Sequence, residues 1–150
     1  MIESKLANYI NVAETFAKKS PDSETKVGSI LVHKETGAVM GMAYNGFIRG
    51  ANDKQLPTKR PDKYDYIVHS ETNLIYNAAR HGVRTSDCFV VCTLSPCINC
   101  MRALYQAGIN EIYYRDTYRD FDKNLTMKDL IITLTNMGEY TKIDLRGSKK

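Results

Sequence analysis

Two short stretches hold residue types that bind a transition metal and move protons: His69-Ser70-Glu71 and Pro96-Cys97-Ile98-Asn99-Cys100. Cys97 and Cys100 are three apart, so at a helix start both sulfurs fall on one face of the first turn. There the unpaired backbone N–H groups and the helix dipole favour thiolates. Two thiolates and one neutral imidazole make three ligands, and a tetrahedral site with three protein ligands keeps its fourth position for water. That is a catalytic count. Such a water needs a base beside it, and Glu71, two residues from His69, can reach the metal's open face without being a ligand. Taken alone, the Cys-x-x-Cys pair is also compatible with a redox couple or with half of a structural zinc site. A zinc module used only for binding needs a fourth protein ligand, from Cys92 or His81, and leaves Glu71 without a task.

Each stretch needs an element to hold it, and the patterning supplies one. Apolar residues at helical spacing predict a helix over 2–19, ended by Ser20-Pro21-Asp22. Apolar runs at 27–32 and 38–44 around Glu35-Thr36-Gly37 read as a hairpin. Residues 45–66 have no sustained period and form the longest loop, a length that in compact domains points to function or disorder. A helix over 69–81 is stopped by Gly82, a strand follows over 87–94, and Pro96 announces a helix over 97–107. A strand over 111–115, a helix over 126–137 and a strand over 140–145 complete the pattern. Alternation of strands and helices after the hairpin predicts an α/β fold with a mixed sheet between helical layers. Cys88 and Cys92 share one face of a strand, where buried thiols are expected. His33 by the hairpin turn and His81 at a helix end suit surface or capping roles.

Composition bounds the rest. The chain has 150 residues, 43% of them hydrophobic, with 21 Lys+Arg against 17 Asp+Glu and four Cys. This is the profile of one globular domain spanning 1–150, large enough to need no disulfide staples and too apolar for disorder. No apolar run approaches a membrane span and the first residues lack a signal-peptide layout, so a cytoplasmic location is expected, the host cytoplasm if the source is a phage. The net charge of +4 owes part of its size to Arg146, Lys149 and Lys150 in the tail. It favours anionic ligands weakly, and no basic stripe with stacking aromatics argues for nucleic acid.

The His69-Ser70-Glu71 and Pro96–Cys100 stretches together resemble the zinc-dependent cytidine deaminase superfamily. Within it, the run from Tyr44 to Asp53 and the later Leu56-Pro57 resemble deoxycytidylate deaminases of the phage and eukaryotic kind. The resemblance covers about residues 5–120. It implies a three-layer α/β/α fold with a mixed five-stranded sheet and hydrolytic deamination of dCMP to dUMP and ammonia, which supplies dUMP for dTMP synthesis. Zinc would sit on His69, Cys97 and Cys100, with Glu71 shuttling protons. A second, structural zinc is not expected, because no Cys precedes Cys88. Asn45 would bind the sugar hydroxyl, and the Ser95 carbonyl before Pro96 would accept from the 4-amino group. The backbone N–H of Ser70, which stands where the family usually has Ala, would meet the pyrimidine O2. Tyr118 matches the family's substrate tyrosine. Lys26, before Val27-Gly28 where the missing side chain would admit a ligand, is a candidate for the phosphate. The loop carrying Gly46, Phe47, Arg49, Gly50, Asn52 and Asp53 resembles an allosteric site at which dCTP activates and dTTP inhibits, with Mg2+ on the triphosphate. Such regulation implies a homo-oligomer, most often a hexamer, and Arg80 matches a position linked to communication between subunits. A deaminase of another cytosine nucleoside or of a nucleic-acid base remains the alternative within the superfamily.

Overall fold

Helix α1 spans Ile2–Ala17 in the computed structural model, which describes residues 2–117 and 133–136. Its buried stripe of Leu6, Tyr9, Ile10 and Ala13 packs on Ile30, Val32, Phe89 and Val91. Those partners lie on two strands, β1 (Gly28–His33) and β3 (Cys88–Leu94), paired antiparallel with Ile30 opposite Val91. Side chains alternate across a strand, so the neighbours of Phe89 and Val91, which are Cys88, Val90 and Cys92, face the other way. They enter a second core with Leu74 and Ala78 of α2 (Ser70–His81) and Met101 and Leu104 of α3 (Ile98–Gln106). Among the described residues, one helix on one face and two on the other make the three layers that the alternation of elements predicts.

The sheet runs β2-β1-β3-β4-β5, with β2 at Val39–Tyr44, β4 at Glu111–Asp116 and β5 at Thr133–Asn136. Strand β1 is antiparallel to β2 and β3, whereas β3, β4 and β5 are mutually parallel. The fifth strand lies within the stretch that helical spacing assigns to 126–137. There the run from Ile131 to Thr135 is β-branched except for Leu134 and alternates from Ile132 onward, and pairing with β4 outweighs the helical reading. The strand expected at 140–145 lies outside the described residues.

Close approach of α1 to the sheet depends on Gly28. A Cβ there would lie 1.8 Å from the Ala13 carbonyl oxygen, so the missing side chain admits the helix backbone and not a ligand. Gly82 takes the left-handed conformation, φ 69°, that closes α2. Phe89 anchors the α1 side edge-on to Tyr9 and Tyr113, with ring centroids 6.2 and 5.3 Å apart. Among the described residues no helix is long and apolar enough to cross a membrane.

Candidate active site

Helices α2 and α3 start side by side, and the residue just before each is a ligand type. His69 is the N-cap residue of α2 and Cys97 that of α3, both extended in backbone and without a side-chain capping hydrogen bond. The two side chains turn toward each other instead. Nδ1 of His69 lies 3.4 Å from Sγ of Cys97 and 3.3 Å from Sγ of Cys100, and the three donor atoms all fall within 4.8 Å of one another. Cys100 is buried, Cys97 partly so, and His69 opens to solvent. Among the described residues no fourth Cys, His or carboxylate joins the group. The Sγ of Cys92 points to the Tyr113 carbonyl and Nδ1 of His81 faces the Asn77 carbonyl, so neither supplies the extra ligand of a purely structural site.

The electrostatics are those of a metal site. A hydrogen bond from the Cys100 thiol, then the His69 ring, outweigh partial burial and draw the Cys97 thiol down to about 4. Cys100 is pushed far up, first by the thiolate beside it and then by burial. His69 is raised, chiefly by its bond to Cys97. Burial lifts Glu71 to about 7, against the opposing pull of His69. The Oε2 of Glu71 is buried and has no hydrogen-bond partner. One imidazole nitrogen and two sulfurs, one readily a thiolate, are a zinc donor set, and an orphaned carboxylate oxygen beside them fits a base that acts on a non-protein group.

A cleft of about 540 Å³ opens on this group. His69, Ser70, Glu71, Ser95 and Cys97 line it together with Asn45, Asp22, Thr25, Arg60, Lys63 and Tyr64. The region described as the cytidine and deoxycytidylate deaminase zinc-binding region matches residues 3–116. This chain belongs to that family. Within its zinc-binding region the deaminase carries the His69, Cys97 and Cys100 group. It is 34% identical to the deoxycytidylate deaminases of Pongo abelii and of Homo sapiens, each in an alignment 122 positions long that covers 77% of this chain and 67% of the relative. Its fold is similar to a dCMP deaminase of the cyanophage S-TIM5 in complex with dCMP and dUMP, with a TM-score of 0.71, 25% identity, and coverage of 87% of this chain and 94% of that one.

The other expected positions of this deaminase divide into two places. Asn45 and Ser95 are buried in the cleft wall. Oδ1 of Asn45 accepts from the Val27 N–H at 2.9 Å, and its amide donates to the Thr25 carbonyl at 2.8 Å and toward Asp22 at 3.4 Å. The Ser95 N–H is bound by the Asp116 carbonyl at 2.8 Å, which fixes the turn before Pro96, itself buried behind the cleft lining. The Ser70 hydroxyl donates to the Ala43 carbonyl at 3.2 Å and lies 2.7 Å from that of Ser29, so this departure from the usual Ala ties the start of α2 to β1 and β2.

Lys26 departs from expectation. Its ammonium is held on the Ser20 carbonyl and it does not line the cleft, and the space at Gly28 is taken by the backbone of α1. Tyr118 lies outside the described residues. None of Gly46, Phe47, Arg49, Gly50, Asn52 and Asp53 lines the cleft. Gly46 pairs with Val68, Asn52 caps a short 3-10 turn over Asp53–Gln55, and Arg49 donates to Oδ1 of Asn77 on α2.

Pattern reading misses Asp22, Arg60, Lys63 and Tyr64. The Lys63 ammonium is buried and held by both Asp22 carboxylate oxygens at 3.0 and 2.8 Å, with Glu24 at 3.4 Å. Burial raises the Asp22 carboxyl, but Lys63 and the N–H groups of Thr25 and Glu24 more than reverse it and hold it below the ordinary carboxylate value. The Arg60 N–H draws Glu24 down in the same way, helped by Lys63. These residues sit in aperiodic chain, and only the clustering of Arg60, Pro61 and Lys63 near Leu56-Pro57 hints at them.

Proposed function

We propose that the chain hydrolyses dCMP to dUMP and ammonia. The observation that carries this reading is the buried carboxylate of Glu71, its Oε2 without a hydrogen-bond partner, beside the His69, Cys97 and Cys100 group in one cleft. The deoxycytidylate deaminases it resembles support the choice of substrate. His69, Cys97 and Cys100 would hold zinc, which when bound supplies the Lewis acidity that makes water a nucleophile near neutral pH. Glu71, lifted to about 7 by burial, is poised both to take a proton and to give one back. It accepts a proton from the attacking water and delivers it to N3 of the ring, then takes the remaining proton from the hydroxyl newly bonded to C4 and passes it to the amine, which leaves as ammonia while that oxygen becomes the C4 carbonyl of dUMP. The Ser95 carbonyl accepts from the 4-amino group and the Ser70 N–H donates to O2, which orients the ring. Asn45 is fixed by three contacts, and the second lone pair of its Oδ1 receives the sugar hydroxyl.

The regulatory reading belongs to the 46–53 loop. Arg49 couples it to Asn77 on α2, the helix that begins beside Glu71, so an anion taken by Arg49 bears on the element that carries the base. On this reading dCTP with Mg2+ activates, dTTP inhibits, and the unit is a hexamer. The decisive measurement is ammonia release from dCMP, cytidine, deoxycytidine and cytosine-containing oligonucleotides. Preference for dCMP supports the assignment, and preference for an oligonucleotide replaces it with the nucleic-acid alternative.

A further inference from the structure

The cleft has to recognise a 5′-phosphate if its substrate is a nucleotide, and the lysine expected to do so is turned away. Apart from His69, the cations among the described cleft-lining residues are Arg60 and Lys63. Lys63 is already spent. Its side chain is 4% exposed and its ammonium is saturated by Asp22 and Glu24, so it has neither access nor a spare charge.

Arg60 is different. Its side chain is 37% exposed, and the guanidinium is aimed by two neutral hydroxyls: Nε donates to the Tyr64 hydroxyl at 2.8 Å and one terminal nitrogen to Thr25 Oγ1 at 3.1 Å. Its anionic neighbour is Glu24, whose Oε1 lies 3.5 Å from the other terminal nitrogen, beyond a good hydrogen bond, while accepting the Arg60 backbone N–H at 2.7 Å. A guanidinium has five N–H donors in a planar fork, and these contacts leave room for the paired bonds that phosphate accepts. Glu24 itself does not line the cleft.

We propose that Arg60 is the phosphate-recognising side chain of the cleft and that Glu24 is the internal anion it gives up when the phosphate arrives. The inference rests on the reading of the cleft as a site for a nucleoside monophosphate. Asp22, Glu24, Lys63 and Arg60 balance to zero charge, so a phosphate entering the cluster meets a guanidinium whose charge Glu24 already partly cancels. Removing the Glu24 charge while keeping its shape therefore strengthens phosphate binding, and removing Arg60 weakens it. A purely structural ion pair predicts loss from both changes. Glu24 thus sets an upper limit on how tightly substrate and product phosphates are held, and favours release of product.

The test uses the zinc-loaded full chain, unaltered and as Arg60→Ala, Arg60→Lys and Glu24→Gln. Two quantities are read: the ratio of kcat/KM for dCMP to that for deoxycytidine, and the calorimetric Kd of dUMP relative to deoxyuridine. Arg60→Ala should lower the dCMP preference by about 10- to 100-fold, the range of lost charge-assisted hydrogen bonds, with Arg60→Lys restoring part of it. Glu24→Gln should tighten dUMP by about 3- to 10-fold, in keeping with removal of one screened charge near the surface. An unchanged preference in Arg60→Ala, or weaker dUMP binding in Glu24→Gln, overturns the proposal while leaving a working dCMP deaminase. A wild type that binds dUMP but does not turn over dCMP overturns the reaction instead, and the dUMP arm still decides the role of Arg60.

Discussion

On the proposed reading Glu71 is the residue on which the chemistry turns, because its carboxyl is buried, its Oε2 has no hydrogen-bond partner and burial lifts it to about 7. Glu71→Gln keeps the shape but cannot accept a proton. It should retain full zinc content and lose turnover by about 10²- to 10⁴-fold, the range for a general acid–base group. Metal analysis against Cys97→Ser separates the roles: zinc loss in Cys97→Ser alone is expected, and equal loss in both would make Glu71 a ligand. The thiolate character of Cys97 has a local origin too. Its position ahead of α3 places Cys100 and His69 where both stabilise the anion.

At the scale of elements, the site depends on how closely α1 presses β1 toward the helices behind the sheet. Gly28→Ala would put a methyl group 1.8 Å from the Ala13 carbonyl oxygen and 2.8 Å from the Ala17 nitrogen, so α1 must lift off. We expect a loss of about 3 kcal/mol or more, at the upper end of overpacking costs, read as a drop in Tm by calorimetry. A Tm within 1–2 °C of wild type, on the order of a few tenths of a kcal/mol, would show that the helix yields freely. The 46–53 loop is the second element with a testable role. If it senses nucleotides, Arg49→Ala should weaken activation by dCTP and inhibition by dTTP together, because one site shifts one equilibrium. Steady-state rates across a dTTP titration, with and without dCTP, measure this, and a wild-type rate indifferent to both removes the regulatory reading.

For the whole molecule, the Asp22–Lys63 pair is the fully buried charged contact that ties the 20–27 segment to the loop before α2. Asp22 is held below its ordinary value of 3.8 when folded, so it binds protons less readily in the native state than in the unfolded chain. Its contribution is therefore complete above that value and is lost as pH falls through the lower folded value. Urea unfolding between pH 6 and pH 2, roughly the span over which a paired carboxylate titrates, should show an acid decline that flattens in Asp22→Asn. At neutral pH, Lys63→Met should cost about 3 kcal/mol, because it strands the buried Asp22 charge. A neutral result for Lys63→Met would mean that water reaches Asp22 once the lysine is gone.

The sequence by itself determined the His69, Cys97 and Cys100 group, the placement of Glu71 next to it and the layers, because each is written in short-range spacing. His69 with Glu71, and Cys97 with Cys100, fall within single helical turns, and alternation along 88–94 dictates which thiols face which core. It misread 126–137, where helical spacing and β-branched content compete and pairing with β4 decides for a strand. Only the tertiary structure decided which cations face the cleft. Arg60 meets Glu24 across 36 positions of sequence and Lys63 meets Asp22 across 41, through aperiodic chain whose side chains carry no directional pattern. Lys26, two residues before Gly28, was the phosphate candidate in the sequence. The backbone of α1 takes the space at Gly28, and the fold brought Arg60 to the cleft instead, because contacts made across a loop are set by where the loop is pinned and not by spacing along it.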